Sequence, residues 1–402
     1  MTLVQIGLSP PRAEATAPHA YAEADRKILY LMNDFTVQEH VCNLRCSYCL
    51  NFENELKGGK PWVPMEKVTL EEGAFGWQRA LSVLDACRAH AHAPILRFSG
   101  GEVLAIPGSV SVIERAAKDW ERVQVLTNAT LVMGETLERL AALENINLCC
   151  SVDGHTTELN RLRVKHEGWA QRILDGLHGS IREGIPVEVN MVLTSHNLGA
   201  VLAFAEHLRA LPRRADVRLL PFPVRGQVAQ GESVAGSLEQ CGPLRELIQR
   251  YDEFAEILPP RAYLERLLAF YVDGRRTHGC KVPLSYFQTF DDGVLASCAN
   301  CWSNSLGNVL QDPAIFEGVG NVNIHKLFLR DPPRFPFCRG CFTPFDVANV
   351  YFSGACTLED IAAMDIYSSP GVRHRLKELH AAWSDGSKGA VWATRPNQGD
   401  AP

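Results

Sequence analysis

From about residue 28 to 225 of this 402-residue chain, short apolar runs alternate with longer amphipathic stretches. The strand-like runs are Ile95–Phe98, Val123–Leu126, Ile146–Cys150, Val187–Leu193 and Val217–Leu220, with Ile28–Leu31 as a weaker first member. Helix candidates lie between them at Leu70–Ala91, Val110–Trp120, Leu137–Leu143, Gly168–Glu183 and Leu198–Ala210. Strands separated by whole helices pair in parallel, through right-handed crossovers. Five or six such units predict an α/β fold built as a partial (β/α)6 barrel. An open doubly wound sheet is the alternative.

The rest of the chain is expected to arrange itself around that unit. Residues 1–35 read as an irregular lead-in, 36–225 as the barrel and 226–275 as a helical linker that includes Ser237–Leu258 and Arg261–Val272. Residues 276–360 hold six Cys among short strands and turns, and 361–402 a helix with a loose tail. A net charge of -6 offers no basic excess for nucleic acid. No secretory signal is expected from the opening residues, and no apolar run reaches membrane-span length. A cytoplasmic protein without membrane contact is the expectation. In a reducing compartment its thirteen Cys point to metal or redox chemistry rather than to disulfides.

Three of these, Cys42, Cys46 and Cys49, form C-x3-C-x2-C. Three thiolates on one short loop can hold three irons of a [4Fe–4S] cube and leave the fourth open to a chelating ligand. A zinc loop that recruits a fourth ligand such as His40 is the competing reading.

The segment CNLRCSYC resembles the cluster loop of radical S-adenosylmethionine (SAM) enzymes, and further motifs follow in the family's order. Ser99-Gly100-Gly101-Glu102 follows a strand-like run, as does the turn Thr127-Asn128, with Ala129 where Gly is common. Ser151-Val152-Asp153-Gly154 resembles the family's SxDG motif, and Val192-Leu193-Thr194 with Asn197 its next strand end. The resemblance implies a partial barrel with its chemistry at the C-terminal strand ends. It implies a SAM-binding [4Fe–4S] cluster on Cys42, Cys46 and Cys49, and SAM contacts from Tyr48, Gly100, Gly101, Glu102, Asn128, Ser151 and Asp153. Arg163 is the expected partner of the methionine carboxylate, with Arg161 close behind, and Asn190 is an inward-facing candidate. Alternation along Asn147–Asp153 turns Cys149, like Ser151, toward the barrel interior and Cys150 toward the helices.

In the last third, Cys280, Cys298, Cys338 and Cys341 resemble the "twitch" module of some members, which carries one auxiliary [4Fe–4S] cluster. Two clusters, or a zinc site on Cys298, Cys301, Cys338 and Cys341, are the alternatives. Cys301 and Cys356 are then spare. The remaining Cys87, Cys149, Cys150 and Cys241 read first as buried packing. Cys149 and Cys241 are also candidate hydrogen-atom donors.

The resemblance implies reductive cleavage of SAM to a 5′-deoxyadenosyl radical, fed by an electron donor such as flavodoxin or ferredoxin. Only 41 residues precede Cys42, and the auxiliary module is small. Peptide-modifying members of the family often carry a leader-recognition domain before the first Cys and a fuller auxiliary module, so the resemblance implies a small-molecule substrate. The expectation is hydrogen abstraction from a carbinol C–H of a sugar, glycoside or aminocyclitol in an antibiotic pathway, with epimerisation slightly preferred to dehydrogenation. Modification of a ribosomal peptide is the first alternative, and a non-enzymatic Fe–S or zinc scaffold the second.

Overall fold

The computed structural model describes residues 27–38, 40–49, 63–64, 76–164, 167–212, 216–225, 234–296, 298, 305–312, 315–316, 336–385 and 391–392. Six strands lie in parallel: β1 (Met32–Val37), β2 (Ile95–Gly100), β3 (Arg122–Thr127), β4 (Ile146–Ser151), β5 (Val187–Leu193) and β6 (Val217–Pro223). Each pairs with the next in sequence. A doubly wound sheet reverses its strand order at a switch point, and no reversal occurs here. The strands form the wall of a barrel, and the helices α1 (Trp77–His90), α2 (Ser109–Ala116), α3 (Gly134–Ala141), α4 (Glu167–Arg182) and α5 (Val201–Ala210) fill the crossovers.

The first strand is displaced from its sequence expectation. Ile28–Leu29 pair with Ala91–His92 and Val391–Trp392 in a small separate sheet, and the barrel begins at Met32. Strand β1 reads MNDFTV. Its polar members hide it from a search for apolar runs, yet they are buried. Asp34 accepts from Arg97 at 3.2 and 3.0 Å and from Ser99 at 2.6 Å. Thr36 bonds Ser99 at 3.0 Å. The lumen of this barrel is hydrogen-bonded rather than oily, and Asp34 and Arg97 pair there as burial requires.

Strand β6 forms one edge of the sheet, where Pro221 and Pro223 cost no ladder bonds on their free side. At the other edge β7 (Tyr286–Phe290) pairs in parallel with β1, followed by antiparallel β8 (Val294–Ala296) and β9 (Ser305–Asn308). The cysteine-rich segment thus extends the barrel sheet itself.

The linker and the C-terminal third pack on the open side. They contain α6 (Gly242–Gln249), α7 (Arg261–Asp273), α8 (Asp346–Phe352) and α9 (Pro370–Ser384). The long helix expected over Ser237–Leu258 is broken into α6 and three short turns. Pro243 in the first turn of α6 starts a helix well but cannot continue one from Cys241. Arg218 of β6 donates to the carbonyls of Ala255, Leu258 and Ala363. The Arg97 guanidinium lies 4.4 Å over the Phe345 ring, which in turn packs on Tyr286. From α9, Arg375 donates to the carbonyls of Tyr30 and His92 and contacts the His92 ring. Among the described residues no helix is long and apolar enough to cross a membrane.

Candidate active site

Cys42, Cys46 and Cys49 are half-buried on the loop that leaves β1. The chain turns at Gln38, where Val41 N–H donates to the Gln38 carbonyl at 2.9 Å. The loop is held from three sides. Ser47 N–H donates to the Leu162 carbonyl (2.9 Å), and Cys49 N–H to the Cys46 carbonyl (3.1 Å). Asn43 donates to Thr130 Oγ1 and accepts from Asn128 Nδ2, both at 2.7 Å. The same Asn128 nitrogen lies 3.8 Å from Cys42 Sγ, and Leu44 N–H donates to that sulfur at 3.4 Å. The Thr127-Asn128 turn thereby meets the cysteine loop directly.

The glycine pair explains the fit of this turn. A Cβ on Gly100 would lie 2.0 Å from the Val37 carbonyl oxygen, and one on Gly101 would lie 1.9 Å from that of Val41. Both distances are far inside van der Waals contact. The two glycines let β2 close against the root of the cysteine loop, a structural duty beyond any approach to a ligand. Glu102 follows and is fully buried. Its oxygens accept from Thr127 Oγ1 (2.9 Å), Leu104 N–H (3.2 Å) and Asn128 N–H (2.7 Å). Burial pushes its carboxyl up to about 7 despite those donors. Glu102 therefore organises the Asn128 turn from within.

Behind the loop is a buried charged cluster. Arg163 Nη2 donates to Asp153 Oδ1 at 2.8 Å, and the guanidinium lies 5.5 Å from the Tyr48 ring centroid. The Tyr48 hydroxyl donates to the other Asp153 oxygen. Two asparagines fix the Asp153 backbone. Asn160 Oδ1 accepts from Asp153 N–H (2.9 Å), and Asn197 Nδ2 donates to the Asp153 carbonyl (3.1 Å). Arg161 points elsewhere: it is half exposed and meets Glu158 and His196.

Strands β4 and β5 place the remaining candidates. Ser151 is the register partner of Asn190, and Cys149 that of Glu188. Cys149 lies near enough to Arg97 and Asp34 for both to act on its thiol, which burial above all pushes up. It faces the interior, as alternation predicts, two residues below Ser151. Cys150 faces the helix layer with Leu148 and Val152 in the apolar core. Cys241 is buried just before α6, and its thiol donates back to the Ser237 carbonyl at 3.5 Å.

The residues present fit the cofactors expected of them. Burial, Glu102 and then Cys46 push the Cys42 thiol well up. Burial pushes Cys46 up to about 12, with Arg163 opposing and Cys49 adding to it. Crowded thiols that suppress each other's ionisation gain most from a shared cation. Among the described residues no three His, Cys, Asp or Glu side chains are drawn in tightly enough for one metal ion. The corners of a four-iron cube hold their thiolates farther apart than a single ion does. Buried Arg163 Nε and Asn190 Oδ1 have no hydrogen-bond partner, as expected of atoms that await a ligand.

The second set converges less visibly. Cys280, Cys298 and Cys338 are buried and Cys341 is half-buried. Arg276 and Asp346 act on both Cys280 and Cys341, and Arg225 on both Cys341 and Cys298. Cys356 instead faces Asp360 and Arg266. Cys301 lies outside the described residues. Asn43, Asn160, Glu188 and Asn349 were not singled out from sequence. A lone Asn or Glu in a strand or loop carries no local signal of its partners.

Residues 40–208 match the family model described as Radical SAM superfamily. The chain carries a radical SAM domain. That family uses a [4Fe–4S] cluster with SAM, and the α/β barrel with its parallel sheet is the radical SAM fold. The antilisterial bacteriocin subtilosin biosynthesis protein AlbA of Bacillus subtilis is 23% identical over 335 residues, 78% of this chain and 67% of that protein. The GTP 3′,8-cyclase of Geobacter sulfurreducens is 29% identical over 239 residues, 58% of this chain and 65% of that enzyme. The chain thus spans about two thirds of the length of each of these two relatives. The solved structure of native anSMEcpe with bound AdoMet and Cp18Cys peptide superposes with a TM-score of 0.51 at 15% identity, covering 88% of this chain and 97% of that one.

Proposed function

We propose that this radical SAM enzyme abstracts a hydrogen atom from a residue of a peptide substrate presented at the C-terminal mouth of the barrel. Cys42, Cys46 and Cys49 hold the SAM-binding cluster, and Cys280, Cys298, Cys338 and Cys341 hold a second one. The observation that carries the chemistry is the thiol trio at the end of β1, backed by the Arg163–Asp153 pair with Arg163 Nε free of a partner. When bound there, the open-cornered cluster and SAM supply the electron and the 5′-deoxyadenosyl group that removes the hydrogen atom.

The chain's own residues bind, orient and exclude water. Arg163 offers its buried Nε to the methionine carboxylate, where a guanidinium's planar fork is well matched. In this reading Tyr48, Gly100, Gly101, Asn128, Ser151 and Asn190 supply the other contacts to SAM. The buried Arg97–Asp34 pair, with Phe345 against the guanidinium, stiffens the lumen, so that one C–H can be presented in a fixed position. An external low-potential donor of the flavodoxin or ferredoxin type supplies the electron.

The sugar or aminocyclitol substrate favoured by sequence gains no support from the relatives described above. AlbA is named for biosynthesis of a bacteriocin, and the superposed structure contains a peptide. Those two relationships support the peptide reading over the carbinol one.

The test is anaerobic reconstitution with iron, sulfide, reductant and SAM, followed by assay of 5′-deoxyadenosine and of mass change in a short peptide encoded beside the gene. Turnover-dependent loss or rearrangement of hydrogen in the peptide is expected. Deoxyadenosine that rises only with aminocyclitols or glycosides, with the peptide inert, would sink the peptide reading.

A further inference from the structure

Behind the second cysteine set runs a chain of buried polar side chains that the reaction itself does not explain. Among the described residues Arg276 is the largest side chain buried to this degree, and Asp346 and Asn349 are buried with it. Arg276 Nη2 meets Asp346 Oδ2 at 2.6 Å, and its Nε donates to the Cys341 carbonyl at 2.7 Å. Asp346 Oδ2 also accepts from Thr343 N–H at 2.9 Å. Asp346 Oδ1 accepts from Asn349 Nδ2 at 2.9 Å. The same amide nitrogen reaches Cys280 Sγ at 3.4 Å.

The orientation of this amide is fixed by its partners. Asn349 Oδ1 accepts from the Lys281 backbone N–H at 2.8 Å. Flipping the amide would set an NH2 against that N–H and a carbonyl oxygen against a carboxylate. One N–H is therefore spent on Asp346, and the second is left for the sulfur. Asp346 is held ionised by Arg276 and His278, so the anchor persists at working pH.

We propose that Asn349 sets the reduction potential of the second cluster, by a side-chain N–H···S bond to Cys280 that Asp346 and Arg276 hold in place. A hydrogen bond to a cluster thiolate spreads its negative charge and favours the reduced, more negative state, which raises the potential. Asp346 and Arg276 are positioning residues, since they act through Asn349. The inference rests on the proposed reading of Cys280 as a ligand of that cluster. Its counterpart on the first cluster is weaker, since Asn128 Nδ2 stands 3.8 Å from Cys42.

The experiment is a redox titration of the reconstituted full chain followed by EPR, with iron counted in every sample. Added SAM perturbs only the signal of the open-cornered cluster, which identifies the other. Asn349→Leu should keep the iron load and lower the midpoint of the SAM-insensitive centre. Asn349→Asp should lower it further, because a carboxylate faces the thiolate. The SAM-responsive centre should stay put in both. An unmoved midpoint in both variants with iron retained overturns the proposal. Loss of the second cluster from both also overturns it, by making Asn349 purely structural. Cys280→Ala separates the premise from the inference: full iron retention there would show that Cys280 is no ligand, whatever Asn349 does.

Discussion

Arg163 and Asp153 form a buried ion pair at 2.8 Å, and Tyr48 from the cysteine loop closes on both. Both residues of the pair sit on the loop after β4, and Tyr48 ties them to the loop after β1, so the site depends on the pair twice. Removing one partner strands the other charge in the interior, which costs about 3–5 kcal/mol. Arg163→Ala should therefore lower the unfolding midpoint strongly and abolish measurable SAM affinity. The double variant Asp153→Asn with Arg163→Met should recover much of the stability and none of the affinity. A double-mutant cycle on thermal unfolding, with SAM titration alongside, separates the two roles.

The two cysteine sets make separate demands on iron. Replacing Cys42, Cys46 and Cys49 together by Ala should remove about four irons per chain and all deoxyadenosine formation. The irons at the second set and their absorbance should remain. Cys280→Ala should remove a similar amount of iron while leaving some reductive SAM cleavage. Colorimetric iron analysis with product chromatography checks both. Equal iron in the triple variant and the parent would end the cluster assignment.

At Gly101 a single methyl group would lie 1.9 Å from the Val41 carbonyl oxygen. The backbone at the base of the cysteine loop would have to move. Gly101→Ala should cost about 1–3 kcal/mol or more, the order seen for overpacked cores, and should impair cluster loading more than it impairs secondary structure. Gly199→Ala is the control, because a Cβ there meets nothing within 4 Å. Circular dichroism and iron content together report the difference. Equal behaviour of the two variants would contradict the close approach.

Much of this arrangement was legible in the sequence for a physical reason. Strands β2 to β6 carry an apolar face against the helices, and β5 is read residue for residue as Val187–Leu193. Cys42, Cys46 and Cys49 are adjacent in the chain, so their spacing alone shows them. Strand β1 was missed because Asp34 and Thr36 face a lumen that supplies Arg97, Ser99 and Gln288 as partners, and those partners are distant in sequence. The role of Glu102 was only half visible for the same reason. The motif shows that a carboxylate is present. Only the fold shows that Thr127 and Asn128 occupy it.

Glu188 carries the clearest pH signature of the lumen. Its Oε2 accepts from Gln124 at 2.9 Å, while its buried Oε1 has no partner. Burial pushes its carboxyl up from 4.5 to about 7, with Gln124 and Arg97 pulling the other way. The folded state thus holds a proton that the unfolded chain has already released between those two values. Stability from this group is present below the unfolded value and is lost as pH rises toward 7. At about 1.4 kcal/mol for each pH unit that separates the folded and unfolded values, the penalty at pH 8 is on the order of 3 kcal/mol. Glu188→Gln removes the titration and keeps the Gln124 bond, since its carbonyl can take the Oε2 position. The variant should match the parent near pH 5 and exceed it at pH 8, as read by unfolding midpoints at both values. A parent and variant whose midpoints differ by the same amount at pH 5 and pH 8 would show that Glu188 does not titrate in this range.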